Sequence, residues 1–371
     1  MKDYTHRKAC YLCTTPLQIL GAMAFELQDR QGADLFLFDD LKSYREIGEK
    51  LRDTGIFENV YCVHLRSPLI SGRKKLARMF FFLRMMTSSF SLNSVLDKGI
   101  CYDRLYTSSS AMSKMIILNA LSKRNTGMEI IMYDDGIGSY SKAARVKTGS
   151  TLFQKAKKML NWSEALEQSS EVYLYCPELA EPEAGKTIRR MPAIMTSEEN
   201  REIVRNVFCG QQKNVSIDEK VIIFDTFRKT ADNRPGITEL DSLYEKAKEV
   251  CGEKNIILKA HPRSSVESRA AIKQYTEKQI PMEIVYMGTD HLEDKILVAL
   301  NSTAVFTPKM FFDKEPRIIL LYRLVHAEAA VRKKRDELYG KLTGMYEHQE
   351  RISIPETEEE YRRVLAEWSV T

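Results

Sequence analysis

The sequence lacks most features that mark membrane, disulfide-rich or repetitive proteins. Its seven cysteines have no framework spacing, and no second CxxC joins Cys10 and Cys13 to complete a zinc site. Glycine and proline are scarce, at 17 and 11 of 371 residues, which argues against long flexible linkers. There is no repeat period, no signal-peptide core and no apolar run approaching about 18 residues. We therefore expect free thiols in a reducing compartment and a chain that neither spans a bilayer nor follows a signal-peptide route.

Charge is unevenly distributed along the chain, although the net charge is only +5. A hydrophobic fraction of 43% and a charged fraction of 29% are typical of a globular protein. The stretch from residue 64 to residue 96 carries six Lys or Arg and no acid, interleaved with Phe, Leu and Met. Such a helix can lie on an anionic membrane surface through residues 66–88, or it can be a buried helix with a basic edge. No nucleic-acid-binding module accompanies it, so no nucleic-acid partner is predicted.

Short apolar runs alternate with amphipathic stretches, which is typical of βαβ units and a parallel sheet. The first series of predicted strands covers residues 8–13, 34–38, 59–64, 104–108 and 128–133. A second series covers residues 221–224, 255–259, 283–287, 299–306 and 317–322. Residues 176–193 lie between the series and contain Pro177, Pro182 and Pro192, which makes them the best linker candidate. The sequence therefore predicts two Rossmann-like doubly wound domains, residues 1–195 and 196–371, that face a cleft.

Four short polar segments fall where predicted strands end or turn. They are Thr14-Thr15-Pro16-Leu17-Gln18, Asp134-Asp135-Gly136, His261-Pro262-Arg263 and Asn301-Ser302-Thr303. Each alone has an ordinary structural explanation, such as a solvated turn or a helix cap. Together they are informative, because strand carboxyl ends are where an α/β sheet collects its functional groups.

The combination of Thr-Pro-Leu-Gln, Asp-Asp-Gly and His-Pro-Arg resembles the bacterial sialyltransferases, especially glycosyltransferase family 52, which includes lipooligosaccharide sialyltransferases. Residues 283–306 also resemble the nucleotide-binding stretch of related sialyltransferase families. The likeness consists of short motifs spread over about residues 10–310. It implies an α/β fold of the GT-B type and a donor of CMP-sialic acid. Family 52 also contains enzymes assigned to other sugars.

The chemistry of such a transfer requires a general base for the acceptor hydroxyl and an acid for the leaving phosphate. Asp135 fits the base, with Asp134 in support, and His261 fits the acid. Asp225, which follows the first strand of the second series, is the second choice for the base. One carboxylate and one acid on opposite sides suit a single displacement with inversion.

The resemblance also implies residues that bind the substrates. Ser302 and Thr303 would hold the CMP phosphate through their hydroxyls and the amides of a following helix. Glu283 would contact the ribose, and its alternative is an exposed acid at a strand edge. Thr14 and Thr15 would line the donor side of the cleft from the first β–α turn. Arg263 could add charge at the phosphate or be an ordinary surface residue, and Gly136 and Pro262 complete the set of substrate-binding candidates. No metal or other cofactor is predicted, although Asp134 and Asp135 can also be read as metal ligands.

The predicted protein is a metal-independent, inverting sialyltransferase that acts on lipooligosaccharide or capsule. Its partners would be CMP-sialic acid and a galactose-ended or sialic-acid-ended glycan, with residues 1–195 on the acceptor side and residues 196–371 on the donor side. We expect a cytoplasmic protein; a peripheral contact with the inner membrane and a homodimer stay open. Two alternatives remain: a GT-B enzyme with another nucleotide sugar, and a non-catalytic binding protein of a polysaccharide locus. The absence of a Gly-rich loop favours a monophosphate donor over a diphosphate donor.

Overall fold

The structure is a computed structural model that describes residues 5–65, 92–108, 112–140, 169–181, 185–195, 197–210, 215–228, 236–261, 264, 268, 270–277 and 280–370. The chain divides into two compact units, Met1–Val207 and Phe208–Thr371. The division falls inside a helix, Glu198–Cys209, whereas the sequence placed it near residue 195.

The first unit is built on a seven-stranded sheet in which every strand pairing is parallel. Its strands are β1 (Thr5–Cys13), β2 (Asp34–Phe38), β3 (Asn59–Val63), β4 (Ile100–Thr107), β5 (Glu129–Tyr133), β6 (Glu171–Leu174) and β7 (Thr187–Arg190). The order across the sheet is β3-β2-β1-β4-β5-β6-β7. Buried parallel strands read as continuous apolar runs, which is why β2 was predicted at its observed bounds. β4 begins at Ile100, before the predicted start at residue 104, and β6 was not predicted.

Within the described residues, the helices of the first unit are α1 (Pro16–Asp29), α2 (Tyr44–Thr54), α3 (Met112–Arg124) and α4 (Glu198–Cys209), which extends past the unit boundary. α1 begins at Pro16 and is capped by the side chain of Thr15, which accepts a hydrogen bond from the Gln18 amide. Proline suits the first helical position because its fixed φ is helical and the missing N–H would have no intrahelical partner. The turn between β1 and α1 is thus fixed by its own sequence.

The second unit contains a five-stranded parallel sheet in the order β12-β11-β10-β8-β9. Its strands are β8 (Val221–Phe224), β9 (Ile256–Lys259), β10 (Ile296–Ala299), β11 (Arg317–Leu320) and β12 (Ile352–Ser353). Its helices are α5 (Ile237–Cys251), α6 (Met282–Met287), α7 (Thr307–Phe312), α8 (Ala329–Thr343) and α9 (Glu358–Val370). Both units therefore have the predicted doubly wound α/β organisation.

Two strand predictions in the second unit are wrong. The run predicted as a strand at residues 283–287 is helix α6, which starts directly after Pro281. All five residues Met282–Tyr286 are buried, and a fully buried apolar run has no periodicity that separates a helix from a strand. The strand predicted at residues 299–306 ends at Ala299, because Ser302 then caps a short 3₁₀ turn, Thr303–Val305.

The linker prediction at residues 176–193 is also wrong. Pro177 opens a 3₁₀ turn, Pro177–Leu179, and the segment then forms β7 at the edge of the first sheet. Pro192 lies just beyond the end of that strand, after Arg190 and Met191. Pro177 and Pro192 thus lie on either side of an edge strand, where proline is well tolerated, and do not mark a link between domains. Pro182 lies outside the described residues.

Each sheet has a point at which the strand order reverses. In the first unit it lies between β1 and β4, and in the second it lies between β8 and β10. Open α/β sheets bind ligands outside the carboxyl ends of the strands at such a point. The residues that follow β1, β4 and β5, and those that follow β8, β9 and β10, are therefore the candidates for function.

Candidate active site

The turn after β1 is held by the side chain of Gln18. The backbone N–H and the hydroxyl of Thr14 donate to Gln18 Oε1 at 2.7 and 3.1 Å, and Thr14 is buried. The side chain of Thr15 caps α1 and also reaches a carboxylate after β5. Thr14 therefore supports the turn, while Thr15 carries a polar group to the strand edge.

Asp134 and Asp135 follow β5 and have different surroundings. Asp134 is 1% exposed and accepts hydrogen bonds from the Tyr140 hydroxyl and from the backbone amides of Gly136 and Tyr175. Burial raises the pKa of Asp134 to about 6, against these hydrogen bonds, which lower it. Asp134 thus organises the turn from within the protein. Both of its oxygens are used in this way, which weakens its alternative reading as a metal ligand.

Asp135 lies at the carboxyl ends of the strands of the first sheet, directly after β5, and is half-buried. Its Oδ1 accepts a hydrogen bond from the Thr15 hydroxyl at 3.3 Å, and its backbone N–H donates to Ser139 Oγ at 2.8 Å. Gly136 follows with φ of 101°, a conformation that favours glycine. The structure therefore brings the predicted residues Thr14, Thr15, Asp134, Asp135 and Gly136 together at one edge.

Lys114 lies beside the turn after β1, and it was not among the site residues predicted from the sequence. It lies in α3, is 2% exposed, and donates to Ser108 Oγ at 2.9 Å and to Gln18 Oε1 at 3.3 Å. Burial lowers the pKa of Lys114 to about 8, although Asp135 acts in the opposite direction. A lone lysine inside the apolar run of residues 112–121 was the available signal, since lysine is rarely buried without a partner.

Asp225, the second choice for the base, is part of a buried ion-pair network. Arg228 donates from Nε and Nη2 to the two oxygens of Asp225, at 2.6 and 2.9 Å, and from Nη1 and Nη2 to Asp241. Arg228 and Asp225 are 2% and 4% exposed. Burial raises the pKa of Asp225, while Arg228 opposes that shift. These contacts are those of a structural ion pair, and they favour Asp135 over Asp225 as the base.

His261 follows β9 and is half-buried, with its ring centroid 5.5 Å from that of Phe227. Its backbone carbonyl accepts a hydrogen bond from the amide of Ser264, whose hydroxyl in turn accepts from the amide of Arg228. The ion-pair network around Asp225 is therefore connected to the His261 loop. The predicted residues Pro262 and Arg263 lie outside the described residues.

Glu283 is not an exposed acid at a strand edge. It lies in the first turn of α6 and is 8% exposed. Burial raises the pKa of Glu283, while hydrogen bonds with its own amide and with Thr307, together with the charge of Lys259, lower it. Glu283 is thus linked through Thr307 to the segment that follows β10.

Ser302 and Thr303 follow β10 at the reversal point of the second sheet and are half-buried. The Ser302 side chain accepts from the Ala304 amide at 3.3 Å, which leaves its hydroxyl hydrogen for another acceptor. The segment continues as a three-residue 3₁₀ turn and the six-residue α7. His261, Ser302 and Thr303 therefore all follow strands at the same edge of this sheet.

Residues 66–88, predicted as a membrane contact, lie outside the described residues. Within the described ranges, no helix combines the length and apolarity that crossing a membrane requires. In the same part of the chain, no three His, Cys, Asp or Glu side chains are grouped in a way that could hold a metal ion.

A family model described as Alpha-2,8-polysialyltransferase (POLYST) matches residues 10–321. No curated protein matches the chain. Among solved structures, the chain is similar to Acinetobacter baumannii MurG, at 13% identity over 99% of this chain and 94% of that chain, with a TM-score of 0.43. It is also similar to TcCGT1 in complex with UDP, at 8% identity over 97% and 90%, with a TM-score of 0.47.

The class of the protein follows from the fold, the residues at the strand ends and the family match. It is a glycosyltransferase, and the predicted α/β fold with two Rossmann-like, doubly wound units is confirmed. The chain belongs to the alpha-2,8-polysialyltransferase family. The general resemblance to bacterial sialyltransferases is thereby confirmed, while the narrower assignment to family 52 stays a prediction.

Proposed function

We propose that the protein transfers sialic acid from CMP-sialic acid to a terminal sugar of a bacterial surface glycan. The observation that carries this proposal is the half-buried carboxylate of Asp135, which follows β5 beside the reversal point of the first sheet and is held by the Thr15 hydroxyl. A carboxylate with an accessible side and a fixed orientation is suited to general-base catalysis. The family match supports sialic acid as the transferred sugar.

In the proposed reaction Asp135 removes the proton from the acceptor hydroxyl. The acceptor oxygen then bonds to the anomeric carbon of sialic acid while the bond from that carbon to the CMP phosphate oxygen breaks. His261 donates a proton to the departing phosphate and so limits the charge that develops on it. A single displacement of this kind inverts the anomeric configuration. No metal or other cofactor takes part in the proposed step.

The second unit would bind the donor. The hydroxyls of Ser302 and Thr303 are suited to hydrogen-bond the phosphate, and Ser302 already accepts a backbone hydrogen bond that orients its side chain. Glu283 would contact the ribose, which requires a rearrangement because it is now buried beside Thr307. Arg263 would add positive charge beside the phosphate, and Pro262 would belong to the same substrate-binding segment. Thr14 would act indirectly, through its support of the turn after β1.

The acceptor we favour is a glycan that ends in sialic acid, because the family description specifies an alpha-2,8 linkage. A galactose-ended acceptor on lipooligosaccharide is the second candidate and follows from the resemblance to family 52. We further propose that the enzyme works in the cytoplasm. A peripheral contact with the inner membrane through residues 66–88 and a homodimer stay predictions from the sequence. A GT-B enzyme with another nucleotide sugar and a non-catalytic binding protein are the competing functions.

Nucleotide binding and product analysis together test the proposal. CMP or CDP should raise the melting temperature of the protein, since a ligand that binds only the folded state stabilises it. UDP and GDP should not. Incubation with CMP-sialic acid and either a sialic-acid-ended or a galactose-ended oligosaccharide should extend one of them, and a related CMP-linked keto-sugar serves as the donor control. Stabilisation by UDP alone, with no product from CMP-sialic acid, would favour another nucleotide sugar.

A further inference from the structure

His261 lies beside the segment that follows the neighbouring strand. β8 and β9 pair in parallel, with Phe224 opposite Lys259, and the amide of Asp225 donates a hydrogen bond to the Lys259 carbonyl at 3.0 Å. Parallel neighbours end at the same edge of a sheet, so the chain leaves both strands side by side. Residues 225–228, which follow β8, can therefore contact His261, which follows β9.

Two contacts join residues 225–228 to His261 and to its backbone. The ring of Phe227 lies against the imidazole of His261, with the ring centroids 5.5 Å apart and the ring planes at 58°, a separation typical of packed aromatic rings. The next residue, Arg228, donates from its backbone amide to Ser264 Oγ at 2.9 Å. The amide of Ser264 in turn donates to the His261 carbonyl at 2.9 Å. The imidazole and the backbone that carries it are thus both held by the segment after β8.

The side chain of Arg228 is fixed by a buried ion-pair network. Its guanidinium donates to both oxygens of Asp225 and to both oxygens of Asp241, and all three residues are buried. Ser268, in the chain that follows β9, donates its hydroxyl to Asp241 and accepts from Arg228 Nη2 at 3.4 Å. Bidentate pairs between arginine and carboxylates add geometric specificity as well as energy. The network therefore gives the Arg228 amide a defined position from which to bind Ser264.

We propose that Ser264 is a positioning residue, whose bond to the Arg228 amide keeps the imidazole of His261 in one orientation. The inference rests on the proposed function, in which His261 donates a proton to the departing phosphate. The second side-chain torsion of histidine has broad minima, so the direction of the ring depends on its backbone and on its packing partner. Ser264 fixes the backbone, and Phe227 restricts the ring. A misplacement of about 1 Å at a reacting group can cost about 10²-fold in rate, so this orientation matters for the reaction.

A double-mutant cycle on the rate of CMP release tests this role. Ser264→Ala should lower kcat for sialyl transfer by roughly tenfold and change KM by less than about twofold, because the substrates still bind while the proton donor is misplaced. Ser264→Thr keeps the accepting oxygen and should retain most of the activity. In a His261→Asn background, Ser264→Ala should change kcat by less than about twofold, since no imidazole remains to be misplaced.

Ser369→Ala is the matched control for Ser264→Ala. Ser369 is a half-buried serine of α9 in the same unit, and its hydroxyl donates to the Leu365 carbonyl at 2.6 Å. Its replacement should lower the melting temperature and leave kcat unchanged, because that hydrogen bond serves stability alone. A loss of kcat by the same factor with and without the His261 imidazole, or no loss in either case, would overturn the proposal.

NMR of the histidine rings tests the orientation without any turnover. The protein has six histidines, so His261→Asn identifies the His261 signal by its disappearance. In Ser264→Ala that signal should move while the other histidine signals stay, and in Ser264→Thr it should return to the wild-type position. Phe227→Leu removes the ring beside the imidazole and should move the same signal if Ser264→Ala does not fold. An unchanged His261 signal in these variants would overturn the positioning role, whereas full activity of His261→Asn would refute the proposed function and leave the NMR result standing.

Discussion

The hydroxyl of Thr15 lies 3.3 Å from Oδ1 of Asp135, although 120 positions separate the two residues in the sequence. One residue caps the helix that follows β1, and the other follows β5. The parallel sheet brings both to the same edge, where the carboxyl ends of its strands meet. This contact gives the proposed base a fixed direction and connects it to the turn that Gln18 holds.

Replacement of Thr15 should therefore affect catalysis through Asp135 and stability through the cap of α1. Thr15→Val removes the hydroxyl with little change in shape, and kcat should fall by roughly tenfold as Asp135 loses its orientation. Thr15→Ser keeps the hydroxyl and should retain most of the activity. The rates are measured as CMP release at a saturating acceptor concentration. Equal rates for Thr15→Val and the wild type would mean that the contact does not orient the base.

Asp134 should make the stability of the protein depend on pH. Its pKa is raised to about 6 from an ordinary value of 3.8, so its contribution to stability is present below pH 4 and is lost as the pH rises through 6. Asp134→Asn does not titrate. The free energy of unfolding of the variant should therefore rise relative to the wild type between pH 4 and pH 7, by about 3 kcal/mol.

Urea titrations of both proteins at several pH values measure this difference, in which the other titrating groups largely cancel. The absolute stability of Asp134→Asn at low pH should be below that of the wild type, because an amide cannot accept all the hydrogen bonds that Asp134 receives from Tyr140, Gly136 and Tyr175. A difference that is constant with pH would show that Asp134 has an ordinary pKa.

Arg228 should be essential for the stability of the second unit. Arg228→Met leaves the carboxylates of Asp225 and Asp241 buried without their counter-charge, and the free energy of unfolding should fall by about 3–5 kcal/mol. Arg362→Met is the matched control, because Arg362 pairs with Glu249 at the surface, and the expected loss there is below about 1 kcal/mol. Equal, small losses in the two variants would contradict the structural role of the network.

Gly21 should not tolerate a side chain, because a Cβ atom there would lie 2.9 Å from the ring of Tyr133 and 3.2 Å from Met191 Cε. Tyr133 directly precedes Asp134 and contacts Cys13 and the Gln18 carbonyl. Gly21→Ala should lower the free energy of unfolding by roughly 1–3 kcal/mol and should also reduce activity.

Gly340→Ala is the control for Gly21→Ala. Gly340 lies in α8, and a Cβ atom there would meet nothing within 4 Å. Alanine should therefore stabilise that helix by about 0.5–1 kcal/mol. Opposite signs for the two substitutions in thermal unfolding support the close packing of Gly21 on Tyr133. A stabilising Gly21→Ala would contradict it.

The sequence predicted those parts of the fold that leave a local signal. β2 and β8 were predicted at their observed bounds, because a short apolar run bounded by polar turns is typical of a buried parallel strand. The same signal gave a wrong strand prediction at α6, because Met282–Tyr286 are all buried and the run shows no helical periodicity. The edge strand β7 escaped detection because only one of its four residues is even half-buried, so it shows no apolar run.

The polar residues of the candidate site were partly predictable for a similar reason. Asp135, His261 and Ser302 stand in short motifs at strand ends, which are visible along the chain. Lys114 has no such motif, and its partner Gln18 is 96 positions away. The burial of Asp225 against Arg228 also depends on tertiary packing. Strand order decides which distant side chains meet, and the sequence pattern alone does not contain it.

The role of Asp135 as the base in sialyl transfer is tested most directly by the rate of CMP release from CMP-sialic acid. The rate is measured with a sialic-acid-ended oligosaccharide as acceptor, for the wild type, Asp135→Asn and His261→Asn. Asp53→Asn is the matched control for Asp135→Asn, because Asp53 is an exposed carboxylate of α2. His291→Asn is the matched control for His261→Asn, because His291 is exposed. We expect turnover in the wild type and both controls, and a loss of roughly 10²-fold or more in Asp135→Asn and His261→Asn. Wild-type turnover in Asp135→Asn, or no CMP release from the wild type, would contradict this expectation.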